Sequence, residues 1–389
     1  MFGVGSTGVG LRVRARDDVR RRALLALHEH GPLSRTDLAR RLGLPKATMA
    51  LVVADLLSHG EIVETPGLPR GAGSGSGRPA GLLVATERPA PVVGIDIGHR
   101  HVRVALTDRD SRIVGEASAE LDVDHQASRV LDRAAELLEG LLARAELGLR
   151  DVRAATAGIP GPVDPTTGTV QSPTILAGWV GLDLPAELRA RTGLDVHIDN
   201  DANLGALGEL TAGAGRGHRD FIYVKASNGI GAGLVLSGAV YRGAGGMAGE
   251  IGHTQLDPNG EWCRCGNRGC LEATVSVEVV RRQLEPLGID LLAAQDVTHP
   301  VARKVLAESG RTVGRVVASL CNALNPTAVI LGGDLSATGD AFPDGVRESI
   351  ERLAQPGTGG TVQVVVAELG RRAELIGAVA GAAAAARAS

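Results

Sequence analysis

Apolar residues recur at helical intervals near the start of the chain, at Val19, Ala23, Leu24 and Leu27 between Asp17 and Glu29, and this spacing predicts an amphipathic helix. His30-Gly31-Pro32 ends it. Ser34, with Asp37 three residues on, has the form of an N-cap opening a short helix from Arg35 to Leu42, and Gly43 supplies the turn into a third helix from Pro45 to His59. Three helices with a tight turn between the second and third form a helix-turn-helix. The pattern then changes to strand: Glu61 to Thr65 and Gly81 to Thr86 flank a Gly/Ser-rich tip and predict a two-stranded wing. The same spacing alone would also suit a small helical packing domain followed by a linker.

Prolines at Pro89 and Pro91 mark a boundary. Beyond it, Val92 to Gly98 (VVGIDIG) is a buried-looking strand ending in glycine, and His101 to Asp108 and Arg112 to Ser118 complete a three-stranded meander with turns at His99-Arg100 and Arg109-Asp110. A long amphipathic helix follows over Gln126 to Leu147, then strands at Val152 to Gly158 and Leu194 to Asp199. A second series repeats this: Phe221 to Ser227, Gly231 to Ser237 and Ala239 to Gly243 read as strand, turn, strand, turn, strand, and a helix over Val301 to Leu324 leads into the strand Ala328 to Gly333. Two lobes of the same plan predict an α/β body folded around a cleft. We place the head at residues 1–86 and the body at 87–389, with lobes of roughly 87–200 plus the C-terminal helix, and 201–370.

The 389 residues suit two or three domains, and 44% hydrophobic with 22% charged residues excludes disorder for the bulk of the chain. No apolar run is long enough for a membrane span, and the first residues lack the core of a signal peptide, which together predict a cytoplasmic protein with no membrane partner. The net charge of −3 conceals an asymmetry. Residues 1–85 hold 12 Lys/Arg against 7 Asp/Glu, a net of +5, while the remainder holds 29 against 37, a net of −8. A basic head on an acidic body points to a polyanion-binding module joined to one with a different partner. With only 2% aromatic residues, stacking on single-stranded bases is disfavoured.

The most specific chemistry lies between Gly249 and Glu272. His253, Cys263, Cys265 and Cys270 offer one imidazole and three thiolates at close spacing, the ligand set of a closed, structural zinc site. A disulfide is the competing reading, and the clustering of three cysteines beside a histidine favours the metal. Cys321, on an apolar helix face, reads as core.

At these residues the sequence resembles the ROK family (repressors, open reading frames and sugar kinases), whose signature G-H-x9-C-x-C-G-x2-G-C-L-E is present at every fixed position from Gly252 to Glu272. The resemblance covers the body and, with the winged helix-turn-helix in front, nearly the whole chain as a ROK-type transcriptional regulator. It implies an actin-like, two-lobed, sugar-kinase-like body with the sugar in the interlobe cleft. It also implies sugar contacts from Asn200 and Asp201, from Glu250 and His253, and from Glu272. These are groups able to accept from and donate to vicinal hydroxyls, and a zinc-bound histidine has its second ring nitrogen held as a donor.

In ROK kinases the aspartate matching Asp201 is the base that deprotonates the sugar hydroxyl. The phosphate loops depart from the kinase pattern. Asp96-Ile97-Gly98-His99-Arg100 stands where the resemblance expects D-x-G-G-T, and Ser227-Asn228-Gly229-Ile230-Gly231 stands for G-T-G-x-G. Gly332-Gly333-Asp334 remains near the adenosine position. Ser172-Pro173-Thr174, ahead of Gly178-Trp179, replaces a sugar-contacting Asn with a hydroxyl. Asp201 is then a vestigial base and no catalytic residue remains. The implied function is a sugar-responsive, DNA-binding regulator, a repressor of carbohydrate-uptake or catabolic genes, taking a sugar or sugar phosphate as effector. It would act as a homodimer or homotetramer on duplex operator DNA. An ATP-dependent sugar kinase bearing a DNA-binding head, or a bifunctional protein, is the alternative, and the degraded first loop weighs against both.

In the head, the third helix opens Pro45-Lys46-Ala47-Thr48-Met49-Ala50-Leu51 without the polar or basic residue common near Ala50 and Leu51 in the family. Lys46, Thr48 and the wing arginines Arg70 and Arg78 are the expected DNA contacts.

Overall fold

A computed structural model describes residues 19–20, 22–24, 26–27, 30–58, 62–65, 81–85, 90–164, 167–170, 176–291 and 297–388. The chain divides into two compact units between Pro89 and Ala90.

In the first unit the described residues between 19 and 30 are helical (α1), followed by α2 (Arg35–Leu42) and α3 (Lys46–Ser58). Ser34 caps α2 as its sequence suggests: its Oγ accepts the Asp37 N–H at 3.2 Å and donates to the Asp37 carboxylate at 2.6 Å. Gly43 closes the helix at φ 67°, a left-handed conformation in which a side chain would be strained. Leu38, Met49, Val53, Leu56, Ile62 and Leu83 bury against one another and fix α2 against α3. The sheet behind them has three strands rather than two. β1 (Leu33–Ser34) pairs with β3 (Leu82–Ala85), which pairs with β2 (Ile62–Thr65), all antiparallel. A two-residue strand is too short to show alternation, so the sequence pattern does not reveal it.

The second unit contains two five-stranded sheets of the same plan. The first runs β6-β5-β4-β7-β8 and the second β11-β10-β9-β12-β13. In the first, β4 (Val92–Gly98), β5 (His101–Thr107) and β6 (Ile113–Glu120) form the antiparallel meander, and β7 (Ala154–Ile159) and β8 (Val196–Asn200) add in parallel. In the second, β9 (Phe221–Ala226), β10 (Ile230–Leu236) and β11 (Ala239–Tyr241) are followed by parallel β12 (Ala328–Gly332) and β13 (Gln363–Val366). Because β4 and β9 are buried on both faces, their sequences are mostly apolar with little alternation.

The helices repeat as well. α4 (Ala127–Arg144) and α5 (Leu184–Thr192) cover one face of the first sheet through a core that includes Val104, Leu131, Leu138, Trp179 and Leu188. In the second lobe, α7 (Leu271–Val275), α8 (Val277–Leu284), α9 (Pro300–Leu324) and α10 (Ala341–Leu353) do the same around Val224, Val280, Val313, Leu331 and Phe342, with the short α11 (Pro356–Gly359) beyond. The two closing helices are exchanged. α6 (Asp201–Ala212) leaves the first sheet and packs on β9 and β10, while α12 (Ala373–Ala388) leaves the second and packs on β4 and β7. They cross at contact distance: a Cβ on Gly208 would stand 2.2 Å from the Ala373 carbonyl oxygen, and one on Gly377 1.7 Å from that of Leu204. The first residue of α6, Asp201, thereby lies where the lobes meet. Among the described residues no helix is long and apolar enough to cross a membrane.

Candidate functional site

Between β11 and α7 the chain forms a loop of turns tied by backbone bonds, among them Cys263 N–H to the Asn267 carbonyl at 2.8 Å and Leu271 N–H to the Thr254 carbonyl at 2.9 Å. It brings His253, Cys263, Cys265 and Cys270 together, with their ligand atoms all within 4.8 Å of one another. All four cysteines of the chain are free thiols. Cys265 Sγ lies 3.7 Å from Cys270 Sγ, and Cys263 Sγ lies 3.6 Å from His253 Nδ1. These separations match the edges of a tetrahedron around an ion with metal–sulfur bonds of ~2.3 Å, for which sulfur atoms stand ~3.8 Å apart, and far exceed a disulfide bond. Burial and the neighbouring thiols push Cys270 up to about 12, so a cation is what this cluster needs to carry thiolate charge. The four residues could hold a metal ion.

His253 has a second neighbour: its Nε2 lies 3.8 Å from Oε2 of Glu250. Both residues line a cavity of about 390 Å³ between the sheets, together with Asn200, Asp201 and Glu272. The structure thus brings all five residues with implied sugar contacts to one cleft. Asn200 caps α6, accepting the Asn203 N–H at 3.1 Å while its amide donates to the Gly161 carbonyl at 2.9 Å. Glu272 accepts the Ile230 N–H at 3.0 Å on one oxygen and meets Arg264 Nε at 3.0 Å on the other. Burial, with Asp201 and Glu272 nearby, pushes the Glu250 carboxyl up to about 7.

Three residues that the sequence did not single out stand in the cleft or beside it. Lys225 of β9 places Nζ 2.8 Å from Oδ2 of Asp201, and a lone lysine within the apolar run FIYVKA was a visible signal. Arg264, between two of the cysteines, approaches Asp124 of the first lobe at 3.8 Å as well as Glu272. Asp124 in turn receives His99 Nδ1 at 2.6 Å. Nothing local in the sequence marks Asp124.

The loops compared with phosphate loops above line the same cavity. The His99 ring stands beside the second of them: beyond its contact with Asp124, its Nε2 lies 3.4 Å from where a Cβ on Gly229 would stand. His101 Nε2 meets Asp96 at 2.9 Å. The Asp334 N–H donates to Ser227 Oγ at 3.0 Å, and the Asp334 carboxylate pairs with Arg371 at 2.9 Å. Cys321 is fully buried, as its place on an apolar helix face suggests.

In the first unit, Lys46 and Thr48 are exposed at the start of α3, next to Ala47, Ala50 and Leu51, the last 71% exposed. Arg70 and Arg78 lie outside the described residues, as do Ser172, Pro173 and Thr174.

The metal-ligand cluster, the shared cleft and the duplicated sheets agree with a family match: residues 92–385 fit the ROK family. The chain belongs to the ROK family. Its body has the α/β fold of ROK sugar kinases. A xylose repressor of Caldicellulosiruptor bescii is 29% identical over 90% of this chain and 91% of its own length. A glucokinase of Thermotoga maritima is 32% identical, over 74% of this chain and 95% of its own. A solved ROK family transcriptional regulator, described as a homologue of the Escherichia coli Mlc protein, superposes with a TM-score of 0.64 at 26% identity and covers 94% of both chains.

Proposed function

We propose that this ROK protein is a DNA-binding repressor of transcription whose operator affinity is set by a monosaccharide in the cleft, and that it does not phosphorylate that sugar. The observation that carries this reading is the reach of the likeness. The xylose repressor matches nine-tenths of this chain and nine-tenths of its own, whereas the glucokinase, nearly complete in itself, accounts for about three-quarters. The remainder is what a winged helix-turn-helix head requires: α2, a glycine turn and α3 over an antiparallel sheet, with a basic sequence. Lys46 and Thr48 would contact the operator from the start of α3, and Arg70 and Arg78 from the wing. The exposed small apolar residues of α3 suit contact with thymine methyl groups more than bidentate base readout.

In the cleft, Asn200, Asp201, Glu250, His253 and Glu272 would bind the sugar hydroxyls. D-xylose, named by one relative, and D-glucose, the substrate class named by the other, are the first effectors to test. Zinc bound by His253, Cys263, Cys265 and Cys270 would be structural, with every position filled by protein and none left for water. Phosphoryl transfer depends on positioning a nucleotide. Here His99 and Arg100 stand where the kinase pattern has Gly and Thr, and the His99 ring lies beside Gly229 of the second loop. The protein would bind as a homodimer or homotetramer, placing two recognition helices in major grooves about 34–36 Å apart.

The test is selection of genomic DNA by the purified protein, followed by titration of the recovered site with and without each sugar, alongside a coupled ATP assay. Sugar-dependent release without sugar phosphate formation supports the reading. Sugar phosphorylation at an enzymatic rate, or no selective DNA, contradicts it.

A further inference from the structure

Three buried carboxylates from three elements converge beneath the cleft. Asp96 of β4, Asp201 at the start of α6 and Glu374 of α12 are each no more than 8% exposed. One ammonium stands between two of them. Lys225 Nζ lies 2.8 Å from Oδ2 of Asp201 and 3.5 Å from Oε1 of Glu374, and its charge also acts on Asp96. Burial works against a charged lysine here, yet Asp201, Glu374 and Asp96 outweigh it and raise Lys225 above its ordinary range.

The second sheet is built to admit this side chain. In register, Lys225 stands between Gly231 of β10 and Gly332 of β12, so neither cross-strand neighbour adds a side chain beside it. Tyr223, two residues earlier and therefore on the same face, donates to Oε1 of Glu374 at 3.1 Å and steadies the far end of the network. Asp96 is held separately by His101 at 2.9 Å and Arg103 at 3.4 Å. Neither of those reaches Asp201.

Asp201 and Lys225 both line the cavity with Asn200, Glu250, His253 and Glu272. The Ala202 N–H donates to Oδ1 of Asp201 at 2.8 Å, and Lys225 donates to Oδ2. Two anchored oxygens fix the plane of the carboxylate, and each keeps a further lone pair for a hydroxyl. We propose that Lys225 is a positioning residue of the effector site: it holds Asp201 in the orientation that accepts a sugar hydroxyl, and it supplies from within the chain the positive charge that keeps Asp201 and Glu374 together. This rests on the reading that the cleft binds a sugar. Without the ammonium, Asp201 and Glu374 repel across a poorly solvated space, and Asp201 turns away from the cavity.

The experiment is calorimetric titration of the full chain with D-xylose and with D-glucose, paired with melting temperatures, for the parent and three variants. Lys225→Met should weaken binding by about tenfold or more, the range expected for a hydrogen bond to a charged group. Lys225→Arg should recover most of the affinity. Lys225→Met/Glu374→Gln removes one charge of each sign and keeps the experiment readable if the single variant does not fold. It should recover melting temperature without recovering sugar affinity, because nothing then holds Asp201. Recovery of both together would show that Lys225 serves only the fold and would overturn the inference, as would parental affinity in Lys225→Met. If the parent binds neither sugar, the sugar reading of the cleft fails and takes this inference with it.

Discussion

Cys263 and His253 meet with Sγ 3.6 Å from Nδ1, which turns the opposite ring nitrogen, Nε2, toward Glu250. One imidazole thus belongs to the thiol cluster and to the cleft. Cys265→Ser should lower metal content, melting temperature and sugar affinity together, since the loop that carries Glu250 and Glu272 loses its tie. Elemental analysis with thermal unfolding checks this. Protein purified without any zinc that still binds sugar would contradict it.

Restoring small residues to the first loop is not expected to restore catalysis. His99→Gly/Arg100→Thr restores the small residues of the first loop, but Ser227 and Asn228 still stand where the second loop of the kinase pattern has Gly and Thr. A coupled ATP assay should therefore show no sugar phosphorylation in the parent and at most a trace in the double variant. Parental phosphorylation abolished by Asp201→Asn would establish a bifunctional protein instead.

The close crossing of α6 and α12 makes a stability prediction independent of function. Gly377→Ala would push a methyl group against the Leu204 carbonyl, 1.7 Å away in the parent geometry, and the helices must separate to admit it. A loss of about 1–3 kcal/mol or more in denaturant unfolding is expected, as for other overpacked contacts. Gly370→Ala has open space around it and differs by testing only the positive φ of 54°, so its loss should be smaller.

DNA affinity should fall steeply with salt, because a basic head with few base-reading side chains binds largely through phosphates. Lys46→Ala should weaken operator binding across sequences and reduce the salt slope by about one. Arg78→Ala should weaken it as well. Binding that survives deletion of residues 1–85 would remove the head from the account.

The metal cluster was legible in the sequence because its ligands fall within one short segment, so spacing alone places them together. The meander strands were legible because each is a run of apolar residues ended by a turn. The lobe boundaries set the C-terminal helix with the first lobe and residues from 201 on in the second, but the apolar, small-residue pattern of α6 and α12 does not itself state which sheet each covers. The close crossing shows in the glycines at 208 and 377, which become meaningful once Gly208 is seen against Ala373. Asp124 and Arg264 are 140 residues apart in sequence, and their approach depends on the lobes folding back on each other. Lys225 lies between these cases: its place in an apolar strand was conspicuous, but its partners Asp201 and Glu374 come from two helices that the pattern could not bring together.

A sugar in the ROK cleft is expected to change the affinity of the head for its operator. Operator titration with and without the effector, in the parent and in Glu250→Ala, measures this. Coupling between sites is reciprocal, so a sugar that weakens operator binding must itself bind more weakly to the DNA-bound protein by the same factor, typically about 5- to 150-fold. The expected result is that factor in the parent, the same factor when sugar is titrated into the operator complex, and an unresponsive Glu250→Ala with near-parental DNA affinity. A Glu250→Ala protein that responds to sugar as the parent does, or that loses DNA binding outright, would contradict the claim.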